Sequence, residues 1–342
     1  MSTPTQPFRR SDDYFTSGGV RCAAWVYRPT ARTTVTPPVI VMAHGLGSVR
    51  ALRLPAFAER FVVAGYVVVV FDYRSFGDSD GHPRRVVDVA AQLADWRAAL
   101  AWARTLDGVD PSRIIAWGTS FAGGHVITLA GTGENLTAII AQVPHVSGPA
   151  AVRATGLHAL RLVPAALDDT LRAALHRSPR YVNPVGTPGT VAAMATPDAE
   201  AAVDRLFEAS GIRRGELTET IAARILARIG LYSPIRHAPK VPCPALVQVA
   251  TGDSIAPAAP ARKAARRMRQ AILQDYDGGH FDPYVDPLFE SVVTAQLDFL
   301  ARNVPVNTGN ITSSAAQALR PEAAFPHTSF RIESRGPLLT DT

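Results

Sequence analysis

The chain has 342 residues, 47% hydrophobic, 19% charged and 7% aromatic. That balance excludes a disordered or collagen-like polypeptide and suits one large domain carrying an insertion, or two modest domains. Only two cysteines occur, Cys22 and Cys243, without CxxC spacing, which excludes a disulfide scaffold and a cysteine-built zinc site and fits a reducing compartment. The net charge is +6, and 33 of the 35 basic residues are arginines scattered among acids. The densest group, Arg262, Lys263, Arg266, Arg267 and Arg269, reads as a solvated helix face, so no nucleic-acid partner is expected.

Residues 1–19 are polar and lack the apolar stretch of a signal peptide. Val20 to Tyr27 predicts an early strand, ended by Pro29. Pro38 to Ala43 predicts a buried strand running into His44-Gly45-Leu46-Gly47. Leu52 to Val63 reads as a helix and Tyr66 to Phe71 as a strand apolar on both faces, as a buried parallel strand requires. The most apolar segment, Phe61 to Phe71, is too short to cross a bilayer and contains Gly65, so a cytoplasmic protein without a membrane partner is expected. Between Asp88 and Leu106, the stripe Val89, Leu93, Trp96, Leu100 and Trp102 predicts an amphipathic helix. Arg113 to Trp117 is the next strand, His125 to Ala130 a helix, and Leu136 to Val143 a further strand.

The alternation then stops. Over residues 148–233, Ala151 to Leu162, Ala165 to His176, Asp198 to Ala209 and Thr218 to Ile229 read as helices, and nothing resembles a sheet strand. It resumes with a strand at Pro244 to Val249, a helix around Pro260 to Gln270, a short strand at Ala271 to Tyr276 and a helix from Pro287 to Asn303. Alternating strands and helices mark an α/β protein with a mostly parallel central sheet flanked by helices. The expected organisation is a core in two parts, residues 1–147 and 234–303, split by a helical cap insertion at 148–233. A Pro-, Ser- and Thr-rich C-terminal extension follows at 304–342, where Phe325, Phe330 and Ile332 are available for packing.

The segment Ile114 to Ala130 carries the chemistry. A buried strand enters Gly118-Thr119-Ser120-Phe121-Ala122-Gly123 and leaves as a helix, the context in which a serine sits on a sharp turn with its hydroxyl exposed at the top of a sheet. Strand and helix approach so closely there that the positions two before and two after the serine must be small, and Gly118 and Ala122 are. A serine hydroxyl is a weak nucleophile and needs a base, which in turn needs an orienting acid. Downstream, Asp253 lies in the loop after Val249. His280 follows two glycines just past the last short strand. Both fall at the carboxyl edge, where ligands and catalytic groups of open α/β sheets gather. Asp277 and Asp282 compete as the acid, but both are too near His280 in sequence to bond its far nitrogen, and Asp282 suits an N-cap. After the strand that precedes the insertion the chain reads Pro144-His145-Val146, with no carboxylate, which favours Asp253. Acyl transfer also needs donors for a developing oxyanion, for which the backbone N–H groups of Leu46 and Phe121 are the candidates. His44 is expected to buttress its loop, His125 to pack behind Ser120, and His145 to sit at the hinge of the insertion, within reach of a pocket.

In these residues and their order, His44 to Gly47, Gly118 to Gly123, Asp253 and His280, the chain resembles the α/β-hydrolase superfamily over about residues 20–303. The stretch from Phe71 to Arg84, FDYRSFGDSDGHPR, is similar to a subgroup of bacterial hydrolases and to fungal hydrolases of polyketide and toxin pathways, some of them thioesterases or acyl transferases. Ala122 stands where the commonest pattern has glycine, a sterically mild change. The resemblance implies the α/β-hydrolase fold and agrees with the residue reading: a serine hydrolase of carboxylic esters or thioesters, with an acyl-enzyme on Ser120, His280 as general base and Asp253 as orienting acid. Serine rather than aspartate at position 120 argues against dehalogenase or epoxide hydrolase chemistry. The alternatives are an acyltransferase using the same three residues, an amidase or peptidase, and a non-catalytic binding protein on this scaffold.

The aliphatic residues of the insertion (among them Leu157, Leu160, Leu162, Leu167, Leu171, Phe207, Ile225 and Leu226) predict a pocket wall for a hydrophobic acyl or alcohol group. Asp72 and Arg74 are expected to pair near the catalytic edge. No metal or organic cofactor is indicated. The insertion and the tail are the surfaces through which a homodimer would form.

Overall fold

A computed structural model describes residues 7–31 and 35–306 of the protein. Strand β1 (Phe8–Ser17) pairs antiparallel with β2 (Val20–Pro29). The alternating part follows as β3 (Val39–Ala43), α1 (Leu54–Val63), β4 (Val67–Phe71), α2 (Val89–Ala103), β5 (Ile114–Thr119), α3 (Phe121–Gly131) and β6 (Ala138–Gln142). The next stretch holds α4 (Gly148–Thr155), α5 (His158–Ala174), β7 (Tyr181–Val185), β8 (Ala192–Met194), α6 (Ala199–Ala209) and β9 (Ile221–Ala222). Alternation resumes with β10 (Ala245–Ala250), α7 (Ala258–Arg267), β11 (Ala271–Tyr276) and α8 (Leu288–Asn303).

Eight strands form one sheet in the order β1-β2-β4-β3-β5-β6-β10-β11. The ladders from β4 to β11 are parallel, and only those made by β2 are antiparallel. Every residue of β3, β4, β5, β6 and β10 is buried, because helices cover both faces of the sheet. Such strands have no solvent side, which is why they read as continuous Val, Ile and Ala runs. One face packs Trp96 of α2, Val126 of α3 and Ala261 of α7. The other packs Phe57 and Phe61 of α1 and Phe299 of α8 against Trp117. Among the described residues no helix is long and apolar enough to cross a membrane.

The structure departs from expectation in several places. β1 lies in a segment that reads as plain polar chain; its exposed Arg9, Arg10 and Asp12 sit on the sheet's outermost strand, where charge blunts an open edge. Between β6 and β10, where only helices are expected, β8, β7 and β9 form a small three-stranded sheet. β7 carries Asn183 and Pro184, both poor strand formers, and β9 has two residues.

Residues 218–229, expected as a helix, instead form β9 and a following 3-10 turn over Ala223–Ala227. The Arg224 N–H and guanidinium bond the buried Asp169 carboxylate of α5 at 2.7 and 2.8 Å, and that tertiary anchor overrides local helical propensity. Burial raises the Asp169 pKa, but its bonds to Arg224 and to the Arg180 N–H outweigh that and hold it below the usual carboxylate value. The break between the first two helices of this stretch comes at Gly156, and α5 runs through Pro164. The tail from residue 307 on, with the expected packing of Phe325, Phe330 and Ile332, lies outside the described residues.

Candidate active site

β5 ends at Thr119 and α3 begins at Phe121, so Ser120 alone turns the chain, at φ 55° and ψ −116°. That backbone conformation costs a non-glycine residue about 1–3 kcal/mol and persists only when its surroundings over-determine it. Here the Ser120 N–H donates to the Gln142 carbonyl at 2.9 Å, and the Ser120 carbonyl accepts from His145 N–H at 2.9 Å. The turn is so tight that a Cβ on Gly118 would lie 2.2 Å from the Ala122 carbonyl oxygen. Gly118→Ala is therefore expected to cost about 3 kcal/mol or more, the upper end of overpacking effects. A urea midpoint equal to that of the parent protein would contradict this close approach.

Two loops bring partners to the serine. His280, beyond β11, points Nε2 at Ser120 Oγ at 3.0 Å, and its Nδ1 lies 2.6 Å from Asp253 Oδ2. Asp253, beyond β10, takes the N–H groups of Ile255 and Ala256 on its other oxygen at 2.9 and 2.6 Å, which locks the carboxylate. With Nδ1–H donated to Asp253, Nε2 is free to accept from the serine hydroxyl. Asp253 and His280 are both buried, so the relay is screened from bulk water. The competing acids bond elsewhere: Asp282 accepts from Gly279 N–H and pairs with Arg205, and Asp277 accepts from Thr251 Oγ1.

The loop after β3 passes directly beside the serine, since a Cβ on Gly45 would lie 2.9 Å from Ser120 Cβ. Leu46 and Phe121 border the same cavity as Ser120. Phe121 is the first residue of α3, so its N–H has no intrahelical acceptor, and the helix end favours negative charge. His44 Nδ1–H donates to the Gly45 carbonyl at 2.9 Å, and burial lowers the His44 pKa against the opposing pull of Asp72.

Asp72 does not pair with Arg74. It accepts the Arg50 N–H at 2.7 Å and also the Arg50 guanidinium, whereas Arg74 turns to Asp95 of α2 at 2.8 Å. Arg50 thus fixes the far end of the His44 loop. Sequence reading passed over it; the one available signal is that a carboxylate just past a fully buried strand requires a cation. His125 packs as expected, bonded to Tyr232 and Gln92, and burial lowers its pKa to about 3.

Two cavities meet at Ser120. One, of about 90 Å³, is bordered by His280, Phe281, Tyr284, Leu206 and Phe207. The other, of about 250 Å³, lies under α4 and α5 and is bordered by Phe121, His145, Leu162, Leu167 and Leu226, but not by His280. Of the expected wall residues, Leu157, Leu160 and Leu171 instead face solvent, 84%, 67% and 59% exposed, Leu167 borders the cavity while remaining 61% exposed, and Ile225 is buried in the core.

Residues 18–226 match the family model described as X-Pro dipeptidyl-peptidase (S15 family). The protein belongs to the peptidase S15 family of α/β hydrolases. This hydrolase is 42% identical to quorum-quenching protein AidA of Acinetobacter baumannii over 296 residues, 86% of this chain and 95% of that protein. It is 37% identical to thiohydrolase aneE of Aspergillus aculeatus over 107 residues, 31% of this chain and 34% of that one. The crystal structure of the α/β hydrolase GrgF from a Penicillium species superposes with a TM-score of 0.71 at 23% identity, covering 87% of this chain and 100% of that one. That likeness concerns the fold, which is the α/β-hydrolase fold, and family membership makes the protein an α/β-hydrolase enzyme.

Proposed function

We propose that this α/β hydrolase is a serine hydrolase that cleaves carboxylic ester or thioester bonds through an acyl-enzyme on Ser120. The observation that carries the reading is the unbroken relay from Asp253 through His280 to Ser120, with spacings of 2.6 and 3.0 Å. Ser120 Oγ attacks the acyl carbon while His280 Nε2 takes its proton, and Asp253 stabilises the imidazolium that forms. The substrate oxygen, now negative, accepts from the N–H groups of Leu46 and Phe121. The imidazolium then protonates the departing alcohol or thiol. A water, deprotonated in turn by His280, releases the acid and restores the serine.

The leaving group must lie where His280 can protonate it, which assigns it to the smaller cavity. The acyl chain then extends into the larger cavity, whose aliphatic border suits a hydrophobic acyl group. In this reading residues 148–233 form a cap over the substrate. Cytoplasmic residence belongs to the same proposal and is supported by the unpaired, buried Cys22 and Cys243.

The relatives guide the choice of substrates. The name thiohydrolase supports thioesters, and the name quorum-quenching adds diffusible signal molecules with a hydrolysable linkage. The test is a chain-length panel of activated esters, thioesters and lactones, run with and without an alcohol acceptor, together with a fluorophosphonate probe. Labelling at Ser120 and kcat/KM rising with acyl length until the cavity fills are expected. Turnover that requires the acceptor would make the protein an acyltransferase, and an unlabelled Ser120 would remove the acyl-enzyme.

A further inference from the structure

Helix α5 is apolar on its outer face as well as its inner one. From its N-cap to its C-cap, Leu157, Leu160, Val163, Leu167, Leu171 and Leu175 follow one another at steps of three or four residues, the spacing of a single helix face, over about 25 Å. All five leucines are more than half exposed. The opposite side of the helix is already buried through Leu162, Ala165 and Ala166. A helix that is apolar on both sides is normally covered on both, and a contiguous exposed apolar stripe marks a contact surface.

The charges beside the stripe select what covers it. Residues 148–180 carry five arginines and two aspartates. Both aspartates are already taken by arginines, Asp169 by Arg224 and Asp168 by Arg172 and Arg180. Arg153, Arg161 and Arg177 are exposed and make no ion pair among the described residues. The face is therefore leucine-rich and cationic, the composition that suits a helix lying in an anionic lipid interface. A second copy of the chain fits less well, since a two-fold contact would set the unpaired arginines of both copies against one another, with no unpaired acid in 148–180 to receive them.

Val152, Val163 and Leu167 border the larger cavity and are at the same time exposed, so that cavity opens on this face. We propose that α4 and α5 dock flat on an anionic lipid surface, with the leucines among the acyl chains, the three arginines at the lipid phosphates, and the larger cavity open toward the bilayer. Only the last element rests on the acyl-enzyme reading above, which sends a hydrophobic acyl group into that cavity. The expectation of a chain without a membrane partner rests on spanning length, which an interfacial helix does not need, and the cytoplasmic leaflet carries anionic lipid.

The test sediments the full chain with vesicles of phosphatidylcholine alone or mixed with phosphatidylglycerol. The parent protein is expected to partition onto the anionic vesicles about a hundredfold more strongly, about fivefold for each of the three arginines, and to be released by added salt. Leu160→Gln combined with Leu171→Gln should weaken that binding at least about tenfold. The same variant should keep the parent kcat/KM on a short soluble ester, because neither residue borders either cavity at Ser120. Absence of vesicle binding, equal binding to both vesicle types, or undiminished binding of the double variant overturns the proposal. A dimer by light scattering that dissociates in the double variant, without vesicle binding, assigns the stripe to a second copy and overturns it too. Should the double variant not fold, the two vesicle types and the salt dependence decide. Sedimentation needs no turnover, so Ser120→Ala should bind like the parent protein, and docking fails or stands separately from the acyl-enzyme.

Discussion

Ser120→Ala is expected to lower kcat on activated esters by about 10⁴-fold or more, with little change in melting temperature. The hydroxyl makes its hydrogen bond to His280 Nε2 and the turn itself is held by main-chain bonds to Gln142 and His145, so removing the oxygen removes the nucleophile without loosening the turn. The residual rate would come from the N–H groups of Leu46 and Phe121 acting on an attacking water. Because the base is useless without the group it deprotonates, His280→Ala should cost a similar factor, and the double variant should be no slower than either single one. Multiplicative losses would mean that the two residues act independently, and a near-native rate in Ser120→Ala would remove the serine from the reaction. Steady-state kinetics on one substrate, with a thermal melt of each variant, distinguishes these outcomes.

The sheet was legible because burial on both faces leaves so distinct a pattern. Val67 to Phe71 can be little else than a central strand, and Ala271–Tyr276 was placed to the residue. The turn at Ser120 was legible because it imposes small residues at fixed spacing. His280 and Asp253 were found through their positions after strands, which a parallel sheet with this chain order brings to one edge. What escaped depends on contacts remote in sequence. β9 and its 3-10 turn follow from Arg224 meeting Asp169, 55 residues away, and no local window contains that pair. The Asp72–Arg74 pairing failed for a related reason: two residues apart in a loop, the carboxylate and the guanidinium turn to different elements, Asp72 to the chain after β3 and Arg74 to α2. In and beside α5 the aliphatic content of the insertion predicted a pocket wall, but content does not say which side chains face the cavity, and Leu157, Leu160 and Leu171 turned outward.

Asp253→Asn is expected to lower kcat by about 10⁴-fold, the cost of the wrong histidine tautomer. Asp253 Oδ1 accepts two backbone N–H groups and Oδ2 accepts His280 Nδ1–H, so the site as built demands acceptors on both sides. An asparagine can satisfy only one side. With its carbonyl toward Ile255 and Ala256, its NH₂ faces Nδ1 and forces that nitrogen to be the acceptor. The imidazole proton then resides on Nε2, which can no longer take a proton from Ser120. With the amide reversed, two buried N–H groups face another donor, each left unpaired at about 1–3 kcal/mol, so the first orientation prevails. Asp282→Asn is the matched control. Its carboxylate accepts from Gly279 and pairs with a half-exposed Arg205, and the expected loss is at most about tenfold, through a looser glycine loop. Kinetics of the two variants on one ester would reassign the orienting acid to Asp282 if Asp253→Asn stayed near the parent rate while Asp282→Asn lost activity.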